Sequence, residues 1–296
     1  MRKIYSILLA GLLPFALHAQ EATSDALPFV QIDFNPASLA QGSSVVPTVA
    51  SIPFADFTIS AGGAFEQYMP EISATQYISG GAAGKYGKLG AALSFARGSG
   101  EEISSESFTP TEILVNAGVA YALLDVLSAG INVKYAKEQL LSDYSNDAVA
   151  VDIFAAGVFG KYGSFNYTAG ISNVGSKVSS SATGDFSLPA AATAAIGYHY
   201  GAFDTHLGPS GHRVELNARA DYFFSGSFAA SIGAEYGFGD LVFARAGYHY
   251  GGESVVPSFA SAGLGLHISM ITLDAAYLFA SDVLGGSFAV SARVKF

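Results

Sequence analysis

Apolar and polar residues alternate along almost the whole chain with a period of two. At the C-terminus Phe288, Val290, Ala292, Val294 and Phe296 share one face, and Ser287, Ser291, Arg293 and Lys295 share the other. From Arg213 to Tyr222 the apolar face is Val214, Leu216, Ala218, Ala220 and Tyr222, against Arg213, Glu215, Asn217, Arg219 and Asp221. Alternation over such lengths marks strands with one apolar and one polar face. It predicts fourteen of them, at about 56–66, 76–87, 88–97, 112–124, 126–138, 147–162, 163–173, 188–200, 211–224, 226–237, 240–250, 257–267, 269–280 and 286–296. Most are near ten residues or longer. A globular strand has about 5–6 residues, whereas a tilted membrane strand needs roughly 9–11.

The connections alternate too. Short turns at Tyr86-Gly87-Lys88, Leu124-Asp125, Tyr162-Gly163 and Gly237-Phe238-Gly239 are interleaved with longer segments near 67–75, 98–111, 139–146 and 174–187. Short turns at one end and long loops at the other are the pattern of a membrane barrel with an even strand number. Two connections depart from it: 201–210 is long where a turn is due, and Ser225-Gly226 is short where a loop is due. The apolar faces carry aromatics near their ends, among them Phe57, Phe65, Tyr86, Phe95, Tyr121, Tyr198, Tyr222, Phe228, Tyr236, Tyr248 and Tyr277. These are expected to form two interfacial girdles in a chain without Trp. The fold expected is all-β, a transmembrane antiparallel up-and-down β-barrel of about 14 strands.

Composition points to lipid as the medium. The chain is 50% hydrophobic and 13% charged, against roughly 25% charged in an average soluble domain. The longest uncharged windows after the N-terminus, Phe186–Phe203 and Ser254–Leu273, are broken by Pro189, Gly197, Pro257, Gly263 and Gly265, so neither reads as a spanning helix. Arg2 and Lys3 precede an apolar run from Ile4 to Ala16 and then Leu17-His18-Ala19-Gln20, which reads as a cleaved secretory signal peptide over residues 1–19. The expected destination is the outer membrane. Without Arg2 and Lys3 the chain holds 12 basic and 24 acidic residues, a net charge of −12 that argues against a nucleic-acid partner. With no Cys, disulfides, thiolate catalysis and Cys-ligated metals are excluded. Residues 20–55 are Pro-, Ser- and Ala-rich and carry too little pattern for a domain. They are expected as a plug-like segment against or inside a barrel of residues 56–296.

Candidate chemistry sits on the polar face. Arg213, Glu215, Arg219 and Asp221, with Glu235, Arg245 and Asp274 on the following strands, form an inward ladder of charge. It either lines a permeation path, holds a plug, or neutralises itself across neighbouring strands, since unpaired buried charge is costly. Inward glycines (Gly62, Gly81, Gly118, Gly130, Gly170, Gly233, Gly247, Gly263) leave room or mark kinks. Asp204, His206 and His212 are unspecific as a metal site. His199, His249 and His267 fall on the polar face with many serines, but no nucleophile-elbow motif accompanies them. No catalytic, cofactor or metal site is expected.

The words Ala169-Gly170-Ile171-Ser172-Asn173-Val174-Gly175-Ser176-Lys177, Asp185-Phe186-Ser187-Leu188-Pro189-Ala190, Gly233-Ala234-Glu235-Tyr236 and Ala244-Arg245-Ala246-Gly247-Tyr248-His249-Tyr250-Gly251, in that order, resemble the PorV/PorQ family of Bacteroidota outer-membrane proteins. Asn35-Pro36-Ala37, ahead of Ser38-Leu39-Ala40-Gln41-Gly42-Ser43, matches part of that family's N-terminal pattern. The resemblance implies a fourteen-stranded FadL-like barrel. It also implies an accessory role in type IX secretion or surface assembly, with partners among outer-membrane or secretion-system proteins, secreted cargo or surface lipoproteins. The alternative is a FadL-like channel for hydrophobic small molecules, which requires an open lumen and a lateral gap. Inward residues that are mostly Gly, Ser, Ala, Thr and charge weigh against a greasy tunnel and favour the accessory role.

Overall fold

A strand with one face in hydrocarbon has no water at its edges, so each must pair on both sides. The computed structural model describes residues 26–70, 74–102, 108–141, 144–160, 164–180, 184–201, 211–252 and 256–296, and in it that condition is met by closure. The strands are β1 (Ile59–Tyr68), β2 (Thr75–Tyr86), β3 (Leu89–Ser99), β4 (Thr111–Leu124), β5 (Leu127–Leu141), β6 (Tyr144–Phe159), β7 (Phe165–Gly175), β8 (Val178–Ser180), β9 (Gly184–Phe186), β10 (Ala191–Gly201), β11 (His212–Phe223), β12 (Phe228–Phe238), β13 (Val242–Tyr250), β14 (Phe259–Ile268), β15 (Ile271–Phe279) and β16 (Phe288–Lys295). All but β8 and β9 form one antiparallel barrel in sequence order. The last strand pairs back onto the first, from Ser60 opposite Lys295 to Gln67 opposite Phe288, which leaves no edge.

The fourteen expected strands are all present, and the structure corrects two connections between them. The segment near 139–146 is not a long loop: β5 runs to Leu141 and β6 starts at Tyr144, with a register shift between Gln139 and Leu141. Its polar residues read as loop, yet Asn146 pairs with Glu138 of the expected strand across the hairpin on the inner face, its side-chain amide donating at 2.9 Å. The segment near 174–187 is not a plain loop either, because β8 and β9 make a small hairpin there. Val178 holds it down by packing against Leu27, Phe29 and Leu188.

The outward surface is apolar in a way water does not tolerate: Ile232, Leu264 and Ile78 are 63%, 62% and 61% exposed within a continuous band. Exposed aromatics rim it at both ends. Tyr86, Phe159, Tyr200, Tyr236 and Phe238 lie toward the short turns, and Tyr222, Phe228, Tyr248, Tyr277 and Phe288 toward the loops. At the turn end Gly87 takes φ 56° at the first position of a two-residue hairpin turn, which suits glycine and the right-handed twist of the strands it joins.

Residues 26–57 run inside the barrel. They contribute a 3-10 turn at Pro28–Gln31, one helical turn, α1, at Pro36–Leu39, and a second 3-10 turn at Val49–Phe54. Near the loop end Leu27, Phe29 and Val30 pack on the inward alanines Ala96, Ala136, Ala148 and Ala150. Toward the turn end Val49 and Ile52 pack on Ala120, beside Ala83 and Ala92.

Candidate functional site

The site is the lumen, and the N-terminal segment shapes it. Asn35 caps α1, accepting the Ala37 amide at 3.3 Å, and Pro36 follows in the first helical position, where its missing N–H is no loss. The Arg293 guanidinium also donates to Asn35 Oδ1 at 3.4 Å, so this Asn-Pro-Ala turn is tied to β16. Further on, Gln41 accepts from the Asn217 amide at 3.0 Å, the Gly42 amide donates to Ser261 Oγ at 3.0 Å, and Arg219 donates to the Ser43 carbonyl at 3.3 Å. Ser128 and Lys85 donate to the carbonyls of Ala50 and Ala55. The segment is thus bonded to walls all around the barrel.

Contact with β12 and β13 is backbone on backbone. Gly42 has φ +66°, and a Cβ built on it would lie 2.7 Å from the Tyr248 amide nitrogen. Gly233 and Gly247 face the same stretch, and any side chain on either would overlap Gln41. These inward glycines are the seat of the segment.

Every member of the expected charge ladder faces the lumen, with ion pairs both within β11 and from strand to strand. Glu215 lies 3.9 Å from Arg213, which pairs with Glu235 across the β11–β12 ladder. Arg245 bridges Glu235 at 2.6 Å and Asp274 at 2.7 Å, and Arg293 lies 3.8 Å from the other Asp274 oxygen. Three guanidinium groups thus alternate with three carboxylates. Separately, Arg219 pairs with Asp221 at 2.8 Å, and Thr193 donates to that carboxylate at 2.6 Å.

A second polar belt lies on β3 to β7. Asn116 donates to Ser94 Oγ at 3.2 Å, Asn132 to Asp152 at 3.2 Å, and Lys134 to Asn173 Oδ1 at 2.8 Å while pairing with Asp152 at 2.9 Å. The belt ends at a bulge where the β6–β7 register shifts between Val151 and Ile153. There Asn173 has φ 57°, and its amide donates to Asp152 Oδ1 at 2.8 Å. The alternation places these side chains on the inner face, but each strand offers only one or two of them, so no local motif marks the belt.

From the belt and the N-terminal segment to the β1–β3 wall, and onto the lipid side of that wall, extends a space of about 570 Å³. The wall there is thin: Gly62 pairs with Gly81 and Gly63 with Gly80, flanked by Ala61 opposite Ala82. The cavity lining includes residues of both faces of this sheet, Gly62, Gly81 and Ser94 from inside and Ala61, Gly63 and Phe95 from outside. The Phe95 ring covers Gly80 on the lipid side, where a Cβ would meet it at 3.1 Å. The β1–β2 backbone ladder is unbroken from Ile59 to Tyr68.

Other sequence candidates fall elsewhere. Asp204 and His206 lie outside the described residues, and His212 Nδ1 is 2.6 Å from the Tyr236 hydroxyl. Ser231 Oγ and His249 Nδ1 are 2.8 Å apart, but both are buried and His249 stacks on Phe259 at 5.2 Å, which fits a core pair joining β12 to β13. Among the described residues no cluster of three metal-ligating side chains occurs.

Asp33, in the N-terminal segment, is the group whose titration bears on the seat. Burial raises its carboxyl above the usual range, against the pull of the Ser38 hydroxyl, the Asn35 amide, the Arg219 charge and the Ser43 hydroxyl. Glu66 faces it from β1, 2% exposed, with Oε1 taking no hydrogen bond among the described residues. A carboxyl with a raised folded pKa contributes stability that is complete in acid and is lost as pH rises through that value. The protection of amides in residues 33–44, corrected for intrinsic exchange, is therefore expected to be greatest below about pH 4 and to fall toward neutrality. Asp33→Asn is expected to flatten that fall, and an unchanged profile in the variant would remove Asp33 as its cause.

No protein-family model matches the sequence, and no curated protein matches it. Solved structures share the fold. The CymD monoaromatic hydrocarbon channel superposes with a TM-score of 0.60 at 11% identity, covering 89% of this chain and 97% of that one. The Pseudomonas putida toluene transporter TodX does so with 0.57 at 12% identity, covering 93% and 98%. The Acinetobacter baumannii outer membrane protein Omp33 gives 0.51 at 11% identity, covering 81% and 98%. At such identities the likeness is one of fold, that of a closed β-barrel. It adds nothing particular to the PorV/PorQ resemblance.

Proposed function

We propose that the protein is an outer-membrane conduit for small, mainly apolar molecules, which collect in its lumen against β1–β3 and reach the bilayer there when the closed β1–β2 ladder parts. The observation that carries this reading is the 570 Å³ cavity whose lining reaches both faces of a wall built from paired glycines. That volume lies within the range of about 300–1,000 Å³ usual for small-molecule sites. The paired glycines leave the wall only backbone-thick, and the Phe95 ring is the main side chain over it on the lipid side. The fold likeness to CymD and TodX, named for monoaromatic hydrocarbon and toluene, supports a conduit over the accessory role in type IX secretion that the PorV/PorQ resemblance implies.

The test is uptake of N-phenyl-1-naphthylamine by intact cells carrying the protein in their outer membrane. Uptake is expected to exceed that of cells carrying an unrelated barrel. Gly63→Val with Gly80→Val is expected to slow it several-fold, because two isopropyl groups thicken the wall on its lipid side. A Cβ at Gly63 meets Ser79 O at 3.0 Å, and one at Gly80 meets the Phe95 ring at 3.1 Å and Gly62 O at 3.3 Å, so both need small shifts, and heat-modifiable mobility of the folded variant checks that the barrel closes. Equal uptake with and without the protein, together with stoichiometric co-purification of a secretion component, would reverse the reading in favour of the accessory role.

A further inference from the structure

The inner side of the cavity asks for more than a hydrocarbon. Three side chains that line it each hold an oxygen that is shut off from solvent and takes no hydrogen bond among the described residues: Asn116 Oδ1 on β4, Ser291 Oγ on β16 and Asp33 Oδ2 on the N-terminal segment. They come from three separate elements and border one volume, so a rotamer change at any of them presents its oxygen to a guest. An acceptor left dry costs free energy, and a guest that brings a donor recovers it. Toluene brings none.

Charge narrows the guest further. The cations that line the cavity are already compensated: Lys134 by Asp152 at 2.9 Å, Arg219 by Asp221 at 2.8 Å, and Arg293 by Asp274 at 3.8 Å. A carboxylate guest would therefore be desolvated without a counter-charge, and it would face Asp33. Phe34, Leu114 and Phe154 supply apolar surface on the same lining, enough for a ring but not for a guest that is polar throughout.

We infer that the cavity binds an uncharged small aromatic molecule bearing a hydroxyl group, a phenol or an aromatic alcohol. Its hydroxyl turns toward Asn116 and its ring toward the glycine wall. This rests on the conduit reading and names the solute class for that same site.

The test uses three probes with one methyl-substituted ring: p-cresol, toluene and p-toluate. Binding to the full chain in lipid nanodiscs is measured by equilibrium dialysis, with empty nanodiscs subtracting partition into lipid. p-Cresol is expected to bind about tenfold more tightly than toluene, the worth of one or two recovered hydrogen bonds, and p-toluate to bind least. Asn116→Leu is expected to abolish the p-cresol advantage while leaving toluene unchanged. Ser291→Ala gives a second, milder reading should Asn116→Leu fail to fold. Toluene binding as tightly as p-cresol, with naphthylamine uptake intact, overturns the hydroxyl preference and leaves the conduit standing. Tighter binding of p-toluate overturns it as well, as does the absence of binding by all three. Loss of naphthylamine uptake beside a measured p-cresol preference would instead remove the conduit and keep the binding site.

Discussion

Arg245→Met is expected to destabilise the barrel by about 3–5 kcal/mol, the usual cost of removing one partner from a buried ion pair. The guanidinium donates to Glu235 and to Asp274, and all three side chains are 5% exposed or less. Methionine fills much of the space but leaves Asp274 with only the Arg293 contact at 3.8 Å. Glu235 keeps Arg213, so the loss should concentrate on Asp274. Adding Asp274→Asn is therefore expected to recover most of the stability, because the stranded charge disappears. Arg245→Lys should fall between, since an ammonium cannot reproduce the two-pronged geometry. Urea unfolding in detergent, followed by the mobility shift of the folded barrel, measures each variant. A Met variant as stable as the parent would show that lumenal water already solvates the network.

Gly247→Leu, or Gly233→Leu, is expected to unseat the N-terminal segment while leaving the barrel closed. A Cβ at Gly247 would stand 2.5 Å from the Gln41 carbonyl oxygen, and one at Gly233 would also crowd Ser44. Strands β12 and β13 are each bonded along both edges, from Arg213 opposite Gly237 to His249 opposite Phe259. The segment is held at separate points, so it yields first. Overpacking of this kind costs about 1–3 kcal/mol, which shifts the seated-to-unseated ratio by roughly 5–150-fold. Two readings should move together: ion conductance across a planar bilayer rises, and amides of residues 39–44 exchange faster. The wall amides of β12 and β13 should keep their protection. Loss of that wall protection would mean that the segment is a structural core of the barrel rather than a plug seated in it.

The barrel wall was legible because each of its features is local. Val214 to Tyr222 against Arg213 to Asp221 declares two faces within ten residues, and strand length separates a membrane strand from a globular one. Closure on β1 follows once no edge can be left in lipid. The hairpin at 141–144 was misread because the polar run that ends at Asn146 looks like loop until Asn146 is seen to bond Glu138, the last residue of the expected strand, across an inner face. The charge ladder was legible as a set of inward residues, yet which carboxylate each arginine takes depends on register. Arg245 meets Asp274 through the gap above Gly265, on a strand that lies between them. The belt from Ser94 to Asn173 was missed for the same reason.

The sequence by itself determined the barrel, its strand number, the inward and outward faces and the lipid that surrounds it. All of these follow from alternation, strand length and the cost of an unpaired backbone in hydrocarbon. Only the tertiary structure decided what fills the lumen. Residues 26–57 have no periodicity to read, and their positions come from contacts more than a hundred residues away in the chain, such as Gln41 with Asn217 and Asn35 with Arg293. The cavity is what remains between that segment and a wall patch made of glycine. Its three dry acceptors share one space because register and packing, which act across the barrel rather than along the chain, brought them there.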